Sequence, residues 1–159
     1  MRIGVVSDTH NHLPNVRRIV ELLNAARVER VVHTGDITQA KTLDVLAGLA
    51  APLHGVFGNN DLERDALGAA IARHGFQFAE GLLRLEWGGR RIGVVHDPRE
   101  LAAAGDLEVA LHGHTHRLQL ERRGGRLVFN PGECAGHLPG HNRIGVVDLA
   151  TLEVELLRF

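Results

Sequence analysis

The stretch Arg2-Ile-Gly-Val-Val-Ser-Asp-Thr-His10 decides how this chain is read. Its first five residues form an apolar run rich in β-branched side chains, the composition of a buried strand. Asp8 and His10 follow at once, two residues apart. If the strand geometry persists, both side chains leave the same face. Aspartate and histidine are also ordinary turn residues, so the weight of this pair depends on what recurs downstream.

The same cadence returns four times. Residues 30–34 are an apolar run ending at Gly35-Asp36, and residues 53–57 end at Gly58-Asn59-Asn60-Asp61. Arg91–Val95 runs into His96, and Glu108–Leu111 runs into His112-Gly113-His114-Thr115-His116. Asp36 suits a helix cap, but its two oxygens also allow it to bridge two cations. Asn59 offers a neutral amide oxygen, useful where more carboxylates would over-neutralise the ions. Asp61 either caps the following helix or orients neighbouring groups. His112 has the same parity as His114 and His116, so this cluster leaves open which two bind. Oxygen and imidazole donors at several strand ends suit a pair of divalent cations, which can make water nucleophilic at neutral pH.

Between these clusters the pattern alternates. Pro14 suits the first turn of a helix, and Val16, Ile19, Val20, Leu22, Leu23 and Ala26 recur at helical spacing. Leu43, Val45, Leu46 and Leu49 mark a second helix stopped by Pro52. Leu62–His74 marks a third, with Gly75 as its stop. The first half is therefore β-α-β-α-β-α, the signature of a parallel sheet covered by helices. The second half is richer in strands: a hairpin at 82–95 about Gly88-Gly89, a short helical piece near Glu100–Ala104, a strand at 108–111, a hairpin at 118–129 about Gly124-Gly125, and strands at 143–149 and 152–157. Arg-Ile-Gly-Val-Val occurs at 2–6, 91–95 and 143–147. The first two copies feed ligand clusters and the third reads as structural. No linker divides the halves, so residues 1–159 are expected to form a single domain.

The order Asp-x-His, Gly-Asn-x-Asp and Gly-His-x-His, with Gly-Asp and His between them and Asn130-Pro131-Gly132 after them, resembles the calcineurin-like metallophosphoesterase superfamily. The small size and the Gly-Asn-x-Asp form resemble its compact bacterial and archaeal phosphodiesterase branch. The resemblance implies an α/β four-layer αββα sandwich with a dinuclear metal site at the strand ends. Carried over to this chain, Asp8, His10 and His116 would hold one ion, Asn59, His96 and His114 the other, and Asp36 would bridge them. It implies a bridging hydroxide that attacks phosphorus, with Asp36, Asn60 and Asp61 in the catalytic set and Asn60 also contacting substrate. Many relatives carry histidine at the position of Asn60, and glycine at that of Asp97. An asparagine cannot protonate a leaving group. Asp97 leaves two outcomes: a charge that weakens phosphate binding, or a group that orients His96.

These readings imply a metal-dependent phosphoesterase, with diesters preferred to monoesters. The alternatives are a nucleotide or protein phosphomonoesterase, or a non-enzymatic protein-binding scaffold of the same fold. Two divalent ions are expected, manganese first, with iron, zinc, nickel or cobalt as the other choices. His12 is a further candidate substrate contact. His33 and His54 read as packed strand residues or as groups that support the ligands. His137 and His141, flanking Pro139-Gly140, either line the substrate entrance or belong to a solvated loop. With a net charge of −1, no basic face supports bulk nucleic-acid binding. The single cysteine, Cys134, excludes an intrachain disulfide and reads as a buried thiol. No run has the length of a membrane span and no leader is evident at the amino terminus, so a cytoplasmic protein acting on a small phosphoester is expected. The resemblance also admits homodimers and homotetramers.

Overall fold

A computed structural model of the chain describes residues 1–159, with all side chains except that of Ala103. The first half runs β1 (Arg2–Val6), α1 (Leu13–Ala25), β2 (Arg30–His33), α2 (Ala40–Leu46), β3 (Leu53–Val56), α3 (Arg64–His74) and β4 (Gln77–Ala79). The second half runs β5 (Leu83–Trp87), β6 (Arg90–Val94), a 3-10 helix at Pro98–Ala103, β7 (Val109–Leu111), β8 (Gln119–Arg123), β9 (Arg126–Asn130), β10 (Arg143–Asp148) and β11 (Val154–Arg158). The expected strand and helix alternation is present throughout. Only β4 has no counterpart in the sequence reading. It has three residues, follows directly on Gly75-Phe76, and is recognisable only because it pairs in parallel with β3.

Two mixed sheets result. One has the order β11-β10-β1-β2-β3-β4, the other β5-β6-β7-β9-β8. On β1, Ile3 and Val5 face the second sheet, where they pack with Ile92, Val94, Val109, Leu111 and Phe129. Val6 faces the helices, among Val16, Ile19, Leu23, Leu43, Leu46 and Leu67. A side chain at Gly4 would strike Leu23, so the glycine lets α1 lie close against the strand. Burying one aliphatic side chain is worth ~1.5–3 kcal/mol. A one-residue slip of β1 would exchange its two faces, so the register is strongly held.

All three α-helices cover one face of the first sheet. Among the described residues the outer face of the second sheet carries no α-helix. Loop residues Leu82 and Leu107 lie against Gly93 there, and the connection between parallel β6 and β7 carries only the 3-10 helix, so the fourth layer of the αββα sandwich is reduced.

The sheets position the site through strand direction. β1, β2 and β3 are parallel, and so are β6, β7 and β9. Parallel strands present their carboxyl ends at one edge, where ligands bind in open α/β sheets. The third RIGVV copy lies on β10, antiparallel to β1, with Asp148 opposite Arg2. Its end therefore lies at the far edge, which explains why this copy feeds no ligand cluster. No helix among the described residues is long and apolar enough to cross a membrane.

Candidate metal centre

The chain must turn sharply after each of these strands, and the turns are costly. Asp8, His10, Asp36, His114 and His116 have φ of 51, 40, 59, 67 and 56°, in the left-handed region. Each such residue costs of order 1–3 kcal/mol, and such strain gathers at functional sites. The strand geometry on which a shared face for Asp8 and His10 depended does not persist through Asp8-Thr9-His10. The two donors meet because the turn bends them together. Two glycines allow close approach: a side chain at Gly58 would collide with Asp36, and one at Gly113 with Ser7 and Asp8.

The first group of ligands surrounds Asp8. Its Oδ2 accepts from the Ser7 hydroxyl and from the His114 backbone N–H at 3.1 Å. Its Oδ1 is buried and has no hydrogen-bond partner among the described residues. That oxygen lies 3.5 Å from His116 Nε2 and 3.9 Å from His10 Nε2. The two Nε2 atoms are 3.3 Å apart. Burial holds the Asp8 carboxyl above its usual range, against the lowering pull of Ser7 and of His116. Burial also lowers His10, favouring its neutral, metal-binding form. An orphaned carboxylate oxygen facing two imidazole nitrogens is a donor set that a divalent cation completes. Asp8, His10, Asp36 and His116 each offer an atom within 4.8 Å of the others.

The second group has no carboxylate of its own. His96 Nδ1 lies 2.8 Å from the Thr34 carbonyl, which only an N–H satisfies, so Nε2 carries the lone pair of the neutral ring. That Nε2 is 3.0 Å from Asn59 Oδ1, and His114 Nδ1 is 2.9 Å from the same oxygen. Asp36 joins the groups: its Oδ2 lies 3.3 Å from His10 Nε2 and 3.5 Å from His96 Nε2. Burial raises the Asp36 carboxyl, but hydrogen bonds from Asn60 and the charges of His96 and His10 outweigh it, and the net shift is downward. Those bonds come from the Asn60 backbone N–H (2.9 Å, to Oδ1) and its side-chain amide (2.8 Å, to Oδ2).

All seven predicted ligands are thus brought to one edge. The other predicted residues take more specific places. Asn60 Nδ2 is directed at Asp36. Asp61 orients the loops rather than capping α3: it accepts from the backbone N–H of Asp36 (3.0 Å), Gly58 (2.6 Å) and Thr38 (2.5 Å), while Glu63 occupies the N-cap of α3. His12 Nδ1 caps α1, accepting from Asn15 N at 3.3 Å. His112 is resolved as a bystander, with its Nε2 2.8 Å from Gln119 Oε1. Asp97 caps the 3-10 helix and is clasped by the Arg99 guanidinium, which holds its carboxyl down at about 2. His33 is fully buried, accepts from Gly35 N at 3.1 Å, and is pushed by burial to about 3, so it stays neutral. Burial pushes the Cys134 thiol up to about 12, as suits an inert thiol.

One residue escaped the sequence reading, and another had two places open to it. Glu133 is buried, with Oε2 4.0 Å from His116 Nδ1 and Oε1 accepting from Leu138 N at 2.9 Å. Its only signal was its place directly after Asn130-Pro131-Gly132. His137, open between the substrate entrance and a solvated loop, stands with its ring centroid 5.7 Å from that of His10 and 5.9 Å from that of His116.

Comparison with known proteins identifies the family. The model of the calcineurin-like phosphoesterase superfamily domain matches residues 1–153. The chain is 34% identical over 154 residues to phosphodiesterase MJ0936 of Methanocaldococcus jannaschii, covering 93% of each. It is 28% identical over 152 residues to phosphodiesterase YfcE of Escherichia coli, covering 85% of this chain and 80% of that one. A solved structure of an archaeal phosphodiesterase superposes with a TM-score of 0.92 at 33% identity over the full length of both chains. Fold and sequence agree, and the chain belongs to the calcineurin-like phosphoesterase superfamily.

Proposed function

We propose that this chain is a metal-dependent phosphodiesterase whose centre holds two divalent cations. Asp8, His10 and His116 would hold one, Asn59, His96 and His114 the other, with Asp36 between them. The observation that carries this reading is Asp36 Oδ2, within 3.5 Å of an imidazole nitrogen of each group. When bound, such a pair supplies Lewis acidity toward phosphoryl oxygens and lowers the pKa of a coordinated water.

The chain's own residues prepare that chemistry. Asn60 keeps Asp36 ionised and fixes the direction of both its oxygens. Thr34 fixes the tautomer of His96, leaving its Nε2 free to ligate. Ser7 and the His114 backbone hold one oxygen of Asp8 and leave the other for a cation. Arg99 offsets the Asp97 charge, so an anionic ester meets a compensated pair beside His96. Mixed imidazole, amide and carboxylate ligation suits manganese, and also iron, zinc, nickel or cobalt. The reading extends to the whole chain acting as one domain in the cytoplasm on a small phosphoester. The full ligand set favours an enzyme over a binding scaffold.

The test is hydrolysis of bis(p-nitrophenyl) phosphate by metal-loaded protein. Turnover with manganese, its loss with a chelator, and slower turnover of p-nitrophenyl phosphate are expected. Absence of turnover above background with any of the five metals would sink the reading, and a faster monoester would move it to a phosphatase.

A further inference from the structure

The segment after β9 is built to hold one side chain over the metal centre. Glu133 anchors its base: the backbone carbonyl accepts from Arg143 N at 3.1 Å, and the side chain accepts from Leu138 N at 2.9 Å. Gly136 N donates to Asn142 Oδ1 at 3.1 Å, and Asn15 on α1 donates to the Cys134 carbonyl at 2.8 Å. Cys134 and Ala135 are buried, whereas residues 137–140 are exposed. The loop is therefore tied at its base and raised at its tip. His137 stands at the start of the raised part.

Its ring lies nearly parallel to that of His116, with an interplanar angle of 12°, and tilted by 40° to that of His10. Three imidazoles thus gather on one side of the centre. The compact donor group is Asp8, His10, Asp36 and His116, and His137 is not in it. Among the described residues the His137 ring nitrogens have no hydrogen-bond partner. Either neutral tautomer carries one N–H, and here that donor borders the place where a phosphoryl group would sit if Asp8, His10 and His116 hold a cation.

We propose that His137 is a substrate-contacting residue whose ring N–H donates a hydrogen bond to a non-bridging oxygen of the bound phosphodiester. The inference rests on the phosphodiesterase reading. The contact acts on the side of the centre nearest His10 and His116. A donor aimed at an oxygen that gains charge during the reaction contributes to both binding and turnover.

The test compares wild type, His137→Phe, which keeps an aromatic ring and removes the donor, and His137→Asn, which keeps a donor. Each is loaded with manganese, and three quantities are measured: bound metal, kcat/KM for bis(p-nitrophenyl) phosphate, and the Kd for inorganic phosphate by calorimetry. We expect unchanged metal content, kcat/KM lowered ~10- to 100-fold in His137→Phe, as for loss of a hydrogen bond to a charged group, weaker phosphate binding, and partial recovery in His137→Asn. Unchanged kcat/KM and Kd in His137→Phe would overturn the proposal. Loss of metal would overturn it in favour of a ligand role, and an asparagine variant as impaired as the phenylalanine one would overturn the donor role. A wild type inactive on diesters removes the phosphodiesterase reading alone, since the phosphate Kd then decides whether His137 makes the contact.

Discussion

The two donor groups of the candidate metal centre are built from different materials. Asp8, His10 and His116 combine a buried carboxylate, one oxygen of which has no partner, with two imidazoles, under a loop pinned by Glu133. Asn59, His96 and His114 combine a neutral amide with two imidazoles. They open into a groove of about 380 Å³ bordered by Phe57, Arg64, Asp97 and Arg99. One half has its own negative charge and is covered. The other borrows charge from Asp36 and is open. The difference teaches that, if both donor groups hold a cation as proposed, the two sites would differ in affinity while sharing Asp36, and substrate would have more room on the amide side.

The comparison can be broken most decisively at its join. Asp36→Ala is expected to abolish turnover, because it removes the only carboxylate common to both halves. Circular dichroism should show a folded chain, and retained activity would remove Asp36 as the bridge. Next in size is a pair of variants read by metal analysis. Asp8→Asn should lose the tighter equivalent of metal, while Asn59→Ala should weaken only the looser one. If both variants lose the same equivalent, the halves are not separate sites. Glu133→Gln sharpens the covered half. The buried Glu133 carboxylate lies 4.0 Å from His116 Nδ1, too far for a hydrogen bond, so only its charge supports that imidazole. Its loss should cost less metal affinity than the ~10- to 100-fold of a hydrogen-bonded partner. Titration against a competing chelator measures it, and only the tighter site should respond. The smallest effect belongs to the open half. Arg99→Ala leaves Asp97 uncompensated beside His96, so KM for an anionic diester should rise a few-fold with kcat little changed. An unchanged KM would show that the Asp97 charge does not reach the substrate.

Much of this was legible because strands are short-range objects. Apolar runs of five or so residues ending in Gly-Asp, Gly-Asn or Gly-His announce both a sheet and its functional edge. β2, β3 and β7 follow that pattern closely, and β1 and β6 run into Asp8 and His96 without the glycine. β4 was hidden because three residues carry too little period to recognise. The reduced outer layer was hidden because sequence pattern reports that a strand is buried, and not what covers it. The roles of Asn60 and Asp61 were open because both residues suit caps as well as sites, and their partners lie in the Asp36 loop, 23–25 positions away.

What the sequence determined by itself was the alternation of strands and helices, the placing of seven donors at strand ends, and the family they resemble. Each of these depends on neighbours within a few residues. Tertiary structure alone decided that His112 turns to Gln119 while His114 and His116 turn to the centre. It also decided that Glu133 backs His116 and that His137 stands over the covered half. Parity along a strand predicts which way a side chain points only while the strand lasts. Here Asp8, His10, Asp36, His114 and His116 all sit in left-handed turns beyond it. In such turns direction is set by contacts across the fold, such as that between His10 and His116, 106 residues apart in sequence.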